Sequence, residues 1–554
     1  MTLILLHSTP AKSNRHNSLS GIKRASTLNS IFLPSLIRHF KMSRMTSTTT
    51  LVTGSVDSVA ANLKAEEAAA QNPKPRRLTQ YIAAVSATLG AFALGNVIGW
   101  SSPASGRLQG DTSEVDFDVS ASEFAWVGSL LTIGAAASTF PAGILVERVG
   151  RKQTMFWTAL PFIFGWALIL FASGVEMLYA GRLITGFCGG VFSVACNLYV
   201  GEIAEKEIRG ALGTLFQLMV VVGIEFVFVL GAFISLTALN AVCLSVPVIF
   251  GFLFFWMPET PQFHLKMKRR EEAHRALQWF RGGADCEFEL REMQQNSESQ
   301  RSVPVTRMLD TLAARRALMV SIGLMACQQL SGINAVVFYT EDLFKAAGSS
   351  LESRYSVIVV GAVQLVATVA ALLVIDRLGR RLLMSASQAA MAACTLFLGV
   401  YLYFREVDEL SVSGLGWLPI LLICIYFVAF SLGAGPIPWL MLGELFPAEI
   451  KGSASALSAC INWLIAFLVT RFYGDLVSWL NGSSTFWIFT ILLLAGLAFV
   501  HFFVPETRGK SLDDIQDILA SKNSAHNNLT QFSPNSIALS KKEQHHTVDM
   551  QQRF

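Results

Sequence analysis

The chain has 554 residues, of which 52% are hydrophobic and only 15% charged, with a formal net charge of +4. Soluble domains carry roughly 25% charged residues, so a chain this apolar lacks the polar surface to fold in water and is excluded from the soluble globular class. It contains no phosphate loop, metal-ligand cluster or nucleophile–base set, so no enzyme activity, cofactor, metal or nucleic-acid partner is expected.

Residues 1–77 precede the first long apolar stretch. Before Asp57 there is no Asp or Glu but much Ser, Thr, Arg and Lys. That composition resembles a transit peptide, and reads better as a disordered cytoplasmic extension. Apolar segments of about 20 residues, the length that crosses a bilayer core, then recur near 80–103, 122–146, 154–173, 177–200, 211–233, 237–257, 317–341, 355–375, 382–403, 415–442, 453–474 and 483–504. The expected fold is an all-α membrane protein with twelve transmembrane helices in two six-helix bundles. The first bundle is expected at 78–258 and the second at 315–505. Between them lies a cytoplasmic linker with short helices at 259–314, where EEAHRALQWFRG has mixed charge and helical propensity. Residues 506–554 form a cytoplasmic tail, polar from Lys510 and expected to be disordered. The eight cysteines make no disulfide framework, and all but Cys286 fall in predicted spans as packing residues.

Basic residues mark alternate loops. They include Arg76 and Arg77, then Arg148, Arg151 and Lys152, then Lys206 and Arg209, then KMKRR from Lys266. Arg377, Arg380, Arg381 and Lys451 continue the series. The first intervening loop is acidic, with Asp111, Glu114, Asp116, Asp118 and Glu123. The positive-inside rule then puts both termini and the linker in the cytoplasm. Asn481-Gly-Ser483 is a candidate glycosylation site in the last external loop, close to the membrane; Asn528 would be cytoplasmic and unused.

Three phrases occur twice, in the same order. ERVGRK at Glu147 returns as DRLGRR at Asp376, GEIAEKEIRG at Gly201 as GELFPAEIKG at Gly443, and PETPQ at Pro258 as PETRG at Pro505. The two bundles are therefore a duplication, which in a membrane is characteristic of transporters. Glu147, Arg148, Arg151, Glu202 and Arg209 mirror Asp376, Arg377, Arg380, Glu444 and Lys451. Basic flanks alone would orient helices, but orientation does not require the acids. Ion pairs between helix ends are expected to latch the cytoplasmic side and to release when the bundle rocks. Neutralising Glu202 and Glu444 would then trap an inward-facing state.

Amides in hydrocarbon are costly unless partnered or facing water. Gln217 lies in span 5, Gln328, Gln329 and Asn334 in span 7, Gln364 in span 8 and Asn462 in span 11. Each alone is as readily a helix–helix hydrogen bond. Together they favour a polar cavity for an uncharged, hydroxyl-rich solute, because amides both donate and accept. Six helical steps leave Gln328 and Asn334 on different faces, so Ser331-Gly332 is expected to break the helix and re-aim them. Matching interruptions are expected at LGNVIGWSSP in span 1, and at GFCGG in span 4 against GAGPIPW in span 10. Gly433, Gly435, Pro436 and Pro438 make span 10 a candidate hinge or gate. Trp439 and Trp463 are either faces for a sugar ring or packing residues.

GILVERVGRK, GRLITGFCGG, PETPQF, QQLSGINAVVFY, DRLGRR, GPIPWLMLGELFPAEIKG and PETRGKSLDDIQ together resemble the sugar porter family of the major facilitator superfamily, from Leu78 to Asp514. The resemblance implies that Gln217, Gln328, Gln329, Asn334, Gln364, Trp439 and Asn462 line a sugar site, and that transport is facilitative with a rocking motion. LGNVIGWSSPA and SLGAGPIPWLMLGELFPAEIKGSASA look like the arthropod facilitated trehalose transporters. Ser431, Phe338 and Asn197 depart from common hexose-facilitator residues. Proton-coupled members carry an aspartate in span 1; here that span has no carboxylate. Glu225 is a proton-site candidate, or else reaches water near the outer end of span 5. The expectation is a monomeric cell-membrane carrier for a small-molecule sugar, trehalose first. A hexose facilitator, a proton-coupled symporter and a non-transporting sugar sensor are the alternatives.

Overall fold

The computed structural model describes residues 77–520 apart from 110–113, 115, 206, 284–285, 300–310, 407–413 and 511. The expected N-terminal extension, except Arg77, and Asn528 lie outside the described residues. The described chain is helical, with no strand among the described residues.

The first half contains α1 (Leu78–Gly99), α2 (Ser101–Leu108), α3 (Ala121–Arg148), α4 (Arg151–Leu170), α5 (Val175–Ile203), α6 (Arg209–Phe233) and α7 (Leu236–Phe255). The linker carries α8 (Pro261–Lys266), α9 (Arg270–Phe280) and α10 (Glu287–Ser299). The second half contains α11 (Leu312–Leu330), α12 (Ile333–Phe338), α13 (Thr340–Ala347), α14 (Ser353–Leu378), α15 (Arg380–Glu406), α16 (Leu418–Leu432), α17 (Pro436–Leu445) and α18 (Ala448–Phe503). A last helix, α19, spans Leu512–Ala520.

Among the described residues, eleven continuous stretches are long and apolar enough to cross a membrane. One of them covers two crossings. At 56 residues, α18 would be about 84 Å long, against a hydrocarbon core of about 30 Å. Asn481 interrupts it with φ 69° and ψ 164°, and the chain turns back there. Twelve crossings result, with helix continuing to Leu480 where a longer loop was expected.

Three expectations need correction. Span 1 is not interrupted: Trp100 has helical φ and ψ of −56° and −32°, its N–H donates to the Asn96 carbonyl at 3.0 Å, and the crossing runs on to Leu108. Span 4 is also continuous. Its glycines admit a neighbour, since a Cβ on Gly186 would strike the Leu131 backbone and one on Gly190 the Ala135 backbone, so α3 and α5 cross at backbone contact. Finally, the start of the expected disordered tail is ordered as α19. Ile515 and Leu519, one turn apart, are buried. Gln516 Nε2 donates to the Leu445 carbonyl at 2.7 Å and Arg316 to that of Leu519 at 2.8 Å, so α19 clasps the ends of α17 and α11.

Near the start of α5, Arg182 is fully buried. Its guanidinium donates to the carbonyls of Val127 at 3.0 Å and Val97 at 2.7 Å, and to Ser101 Oγ at 2.7 Å. It also lies 4.9 Å from the Trp100 ring centroid. Carbonyl oxygens and a π face together replace a counter-ion, and tie α1, α2, α3 and α5 at one end.

Candidate functional site

The helix carrying QQLSGIN breaks between α11 and α12 at Gly332, where φ is 88°, a left-handed conformation that suits glycine. The turn brings the amides together although ideal helical steps would separate them. Asn334 Nδ2 donates to Gln329 Oε1 at 2.6 Å, and Gln329 Nε2 to Asn462 Oδ1 at 3.0 Å. Asn462 Nδ2 donates to Gln328 Oε1 at 2.9 Å. Gln328 Nε2 then donates to the carbonyls of Ala434 at 2.8 Å and Gly435 at 2.7 Å.

Those two carbonyls are free because a second helix breaks there. Gly433, at φ −138° and ψ −78°, ends α16, and α17 restarts at Pro436. A Cβ on Gly433 would crowd Ser387 and the Leu383 carbonyl of α15. Pro436 and Pro438 provide no N–H, so the break strands carbonyls that only a side chain or water can satisfy. Gln328 is the satisfying group. Both breaks fall in the second half, so the expected pairing of interruptions between halves does not hold.

Gln328 is 3% and Asn462 1% exposed, and their bonds are made within the protein. Asn334 and Trp439 are half-buried beside them, and Gln217 is half-buried on α6. Gln364 on α14 is buried, and its Oε1 has no hydrogen-bond partner. Thr368, one turn on, donates to the Gln364 carbonyl at 2.8 Å and to Ser431 Oγ at 3.3 Å. A Cβ added at Gly332 would lie 3.0 Å from the Phe489 ring. Gly332→Ala therefore combines backbone strain with crowding, at roughly 1–3 kcal/mol for the strain alone. Sugar uptake is expected to fall about tenfold at unchanged surface expression, measured with radiolabelled substrate. Unchanged uptake would show that the bend is not needed.

Of the two readings of Glu225, a proton-site candidate or a group that reaches water at the outer end of span 5, the second does not hold for Oε2, which is buried and unpartnered and packed on Gly361 of α14.

The end of the bundle bearing the repeated phrases holds a mirrored pair of clusters. In the first half Arg151 donates to Glu202 at 2.8–3.0 Å, and Thr260 Oγ1 donates to the other Glu202 oxygen at 2.6 Å. In the second half Arg380 meets Glu444 at 3.1 Å, and Thr507 Oγ1 donates to Glu444 at 2.5 Å. The glutamate of each PET phrase caps the helix that follows the GR turn. Glu259 accepts the Lys152 N–H at 2.9 Å, and Glu506 accepts those of Arg380 at 3.0 Å and Arg381 at 3.1 Å. Burial pushes the Glu259 carboxyl above the usual range, against the N–H bonds that pull it down. Glu259, Thr260, Glu506 and Thr507 were missed as functional residues, although the duplicated PET was the available signal.

Glu147 joins this end through Arg151 at 3.5 Å and through Lys266 of the linker. Arg209 donates to the Ala204 carbonyl at 3.3 Å and Lys451 to that of Gly443 at 3.1 Å. Arg148 and Arg377 are exposed, and the side chain of Asp376 lies outside the described residues. Among the described residues, the ion pairs at this end lie within one half or reach the linker. The expected pairs between helix ends are thus formed inside each half, Arg151 with Glu202 and Arg380 with Glu444, and among the described residues none of them joins the two halves.

Contacts between the halves gather at the opposite end. Ser105 Oγ donates to Asp342 at 2.5 Å, and the Glu341 N–H to Ser102 Oγ at 3.2 Å. Trp126 packs against Phe467 with ring centroids 5.9 Å apart, and Arg471 lies 5.0 Å from the Trp126 centroid. Asn481 is also at this end and is exposed.

The sequence model of the Sugar (and other) transporter family matches residues 48–519. A facilitated trehalose transporter Tret1 of Polypedilum vanderplanki is 40% identical over 442 residues, covering 79% of this chain and 87% of that protein. Tret1 of Bombyx mori is 38% identical over 446 residues, covering 80% and 87%. Tret1 of Aedes aegypti is 40% identical over 442 residues, which is 55% of its own length. Among solved structures, the inward-open xylose transporter XylE from E. coli superposes with a TM-score of 0.66 at 21% identity, covering 79% of this chain and 99% of that one.

Proposed function

The chain belongs to the sugar transporter family, and from that premise we propose that it is a facilitative carrier of trehalose across the cell membrane. The observation that carries the reading is the amide chain from Asn334 to Gln328, which ends on the bare carbonyls of a broken helix. A neutral, hydrogen-bonding site on interrupted helices suits a polyhydroxylated solute without charge. Trehalose is the substrate named for its relatives at 38–40% identity.

Gln217, Gln328, Gln329, Asn334, Gln364, Trp439 and Asn462 are assigned to the sugar. Asn334 and Trp439 meet it directly, while Gln328 holds the break that shapes its site. The repeated phrases are basic, so their end is assigned to the cytoplasm together with both termini. The opposite, external end is then the closed one, and the conformation faces inward. Passage to an outward-facing state parts Ser105 from Asp342 and brings the two cytoplasmic clusters together. The breaks at Gly332 and at Gly433 to Pro438 supply the local bending. Between Leu78 and Gly99, α1 has no carboxylate, which supports passive flux.

Radiolabelled trehalose and glucose uptake in oocytes, with and without a pH gradient, tests the reading. Saturable trehalose uptake independent of the gradient is expected. Uptake of glucose alone would reassign the substrate, and gradient-driven accumulation would reassign the mechanism.

A further inference from the structure

Among the described residues, the buried and half-buried carboxylates have partners. Glu202 is bonded by Arg151 and Thr260, Glu205 by Gln80 and Arg77, and Asp342 by Ser105. Half-buried Glu225 is the exception, since its Oε2 atom is buried and has no partner. The backbone directs it to the seam between the halves. Gly223 on α6 meets the Phe92 backbone of α1, whereas Glu225, two residues on, reaches α14 and packs on Gly361. Gln364 lies three residues from Gly361 on the same face of α14. It is 4% exposed, and its Oε1 is likewise unpartnered. Two acceptor oxygens thus sit about one helical turn apart in one seam.

Their chemistry complements that of the amide chain. The side-chain oxygens of Gln328, Gln329 and Asn462 already accept N–H groups from within that chain. A sugar hydroxyl also has to donate, and a carboxylate is the strongest acceptor available for it. Gln217 and Glu225 are eight residues apart on α6, a spacing that returns to nearly the same face. The distance is about 12 Å along the axis, which is longer than one pyranose ring and suits two.

We propose that Glu225, with Gln364, is a specificity-determining acceptor pair that takes hydroxyl donors from the second ring of a disaccharide. The proposal rests on the trehalose reading and adds a residue to it. A monosaccharide bound at the amide chain does not reach Glu225, so the carboxylate selects by substrate length.

Glu225→Leu and Glu225→Gln, compared with the unaltered chain at matched surface expression, test this through trehalose and glucose uptake. Loss of a hydrogen bond to a charged group should raise the trehalose KM roughly tenfold or more in Glu225→Leu, with the glucose KM changed by less than about twofold. Glu225→Gln keeps an acceptor and should fall between. A purely structural role would weaken both sugars equally. An equal loss, or an unchanged ratio of the two KM values, overturns the proposal. So would proton movement with trehalose that vanishes in Glu225→Gln, because the carboxyl would then carry protons rather than hydroxyls. Failure of the unaltered chain to take up trehalose overturns the substrate reading, and this proposal with it.

Discussion

Replacing Gln328 by leucine is expected to lower sugar uptake at least a hundredfold while the protein still reaches the cell surface. Three groups lose their partner at once: the Ala434 carbonyl, the Gly435 carbonyl and one N–H of Asn462. A stranded buried group costs roughly 1–3 kcal/mol, and about 1.4 kcal/mol is a factor of ten. The loss falls where α16 gives way to α17, so it should appear as lowered Vmax as well as raised KM. Gln328→Glu is a sharper test. It keeps the shape but turns a double donor into an acceptor facing two carbonyls, and should be at least as damaging as leucine. Near-normal uptake in Gln328→Glu would mean that the break is held by something else.

The second large effect concerns stability. Arg151→Leu should lower the melting temperature of the detergent-solubilised protein clearly more than Arg380→Leu, although the two arginines occupy mirrored positions. The difference is burial. The Arg151 and Glu202 side chains are 7% and 10% exposed, whereas those of Arg380 and Glu444 are 12% and 25%. Stranding one partner of a buried pair costs about 3–5 kcal/mol, and solvent around Glu444 screens the equivalent loss toward about 1 kcal/mol. Arg151→Glu combined with Glu202→Arg should recover part of the loss, since Thr260 remains to bond the exchanged side chain. Equal melting temperatures for the two leucine variants would show that burial does not set the balance between the clusters.

The cluster geometry also changes what charge removal means. From sequence, Glu202 and Glu444 are expected in ion pairs between helix ends that hold the cytoplasmic side shut. Each is bonded to an arginine at the start of an earlier helix of its own half, Arg151 of α4 or Arg380 of α15, and to a PET threonine. Their first task is to hold a helix start and a linker or tail in place. A latch across the halves has to be built in the alternate conformation, from rigid ends that these bonds keep intact.

Much of this was legible without coordinates. The bend at Ser331-Gly332 followed from a conflict between helical geometry and the need to gather Gln328 with Asn334. The span-10 break followed from two prolines and two glycines in a short run. The matching breaks expected in spans 1 and 4 failed because glycine has two uses in a membrane helix. Gly186 and Gly190 give up a side chain so that α3 can approach, and a sequence does not say which use applies. The helix α19 was missed because it is only nine residues long and its apolar residues stand among three aspartates.

The amino-acid sequence by itself determined the twelve crossings, the duplication and the family, because hydropathy and repetition are properties of the linear chain. Tertiary structure alone decided the partners: Arg151 with Glu202 rather than a residue of the other half, Gln328 with two stranded carbonyls, and Glu225 with none. Partner choice depends on which faces of distant helices meet and how closely they pack. No local pattern around any one of those residues contains that information.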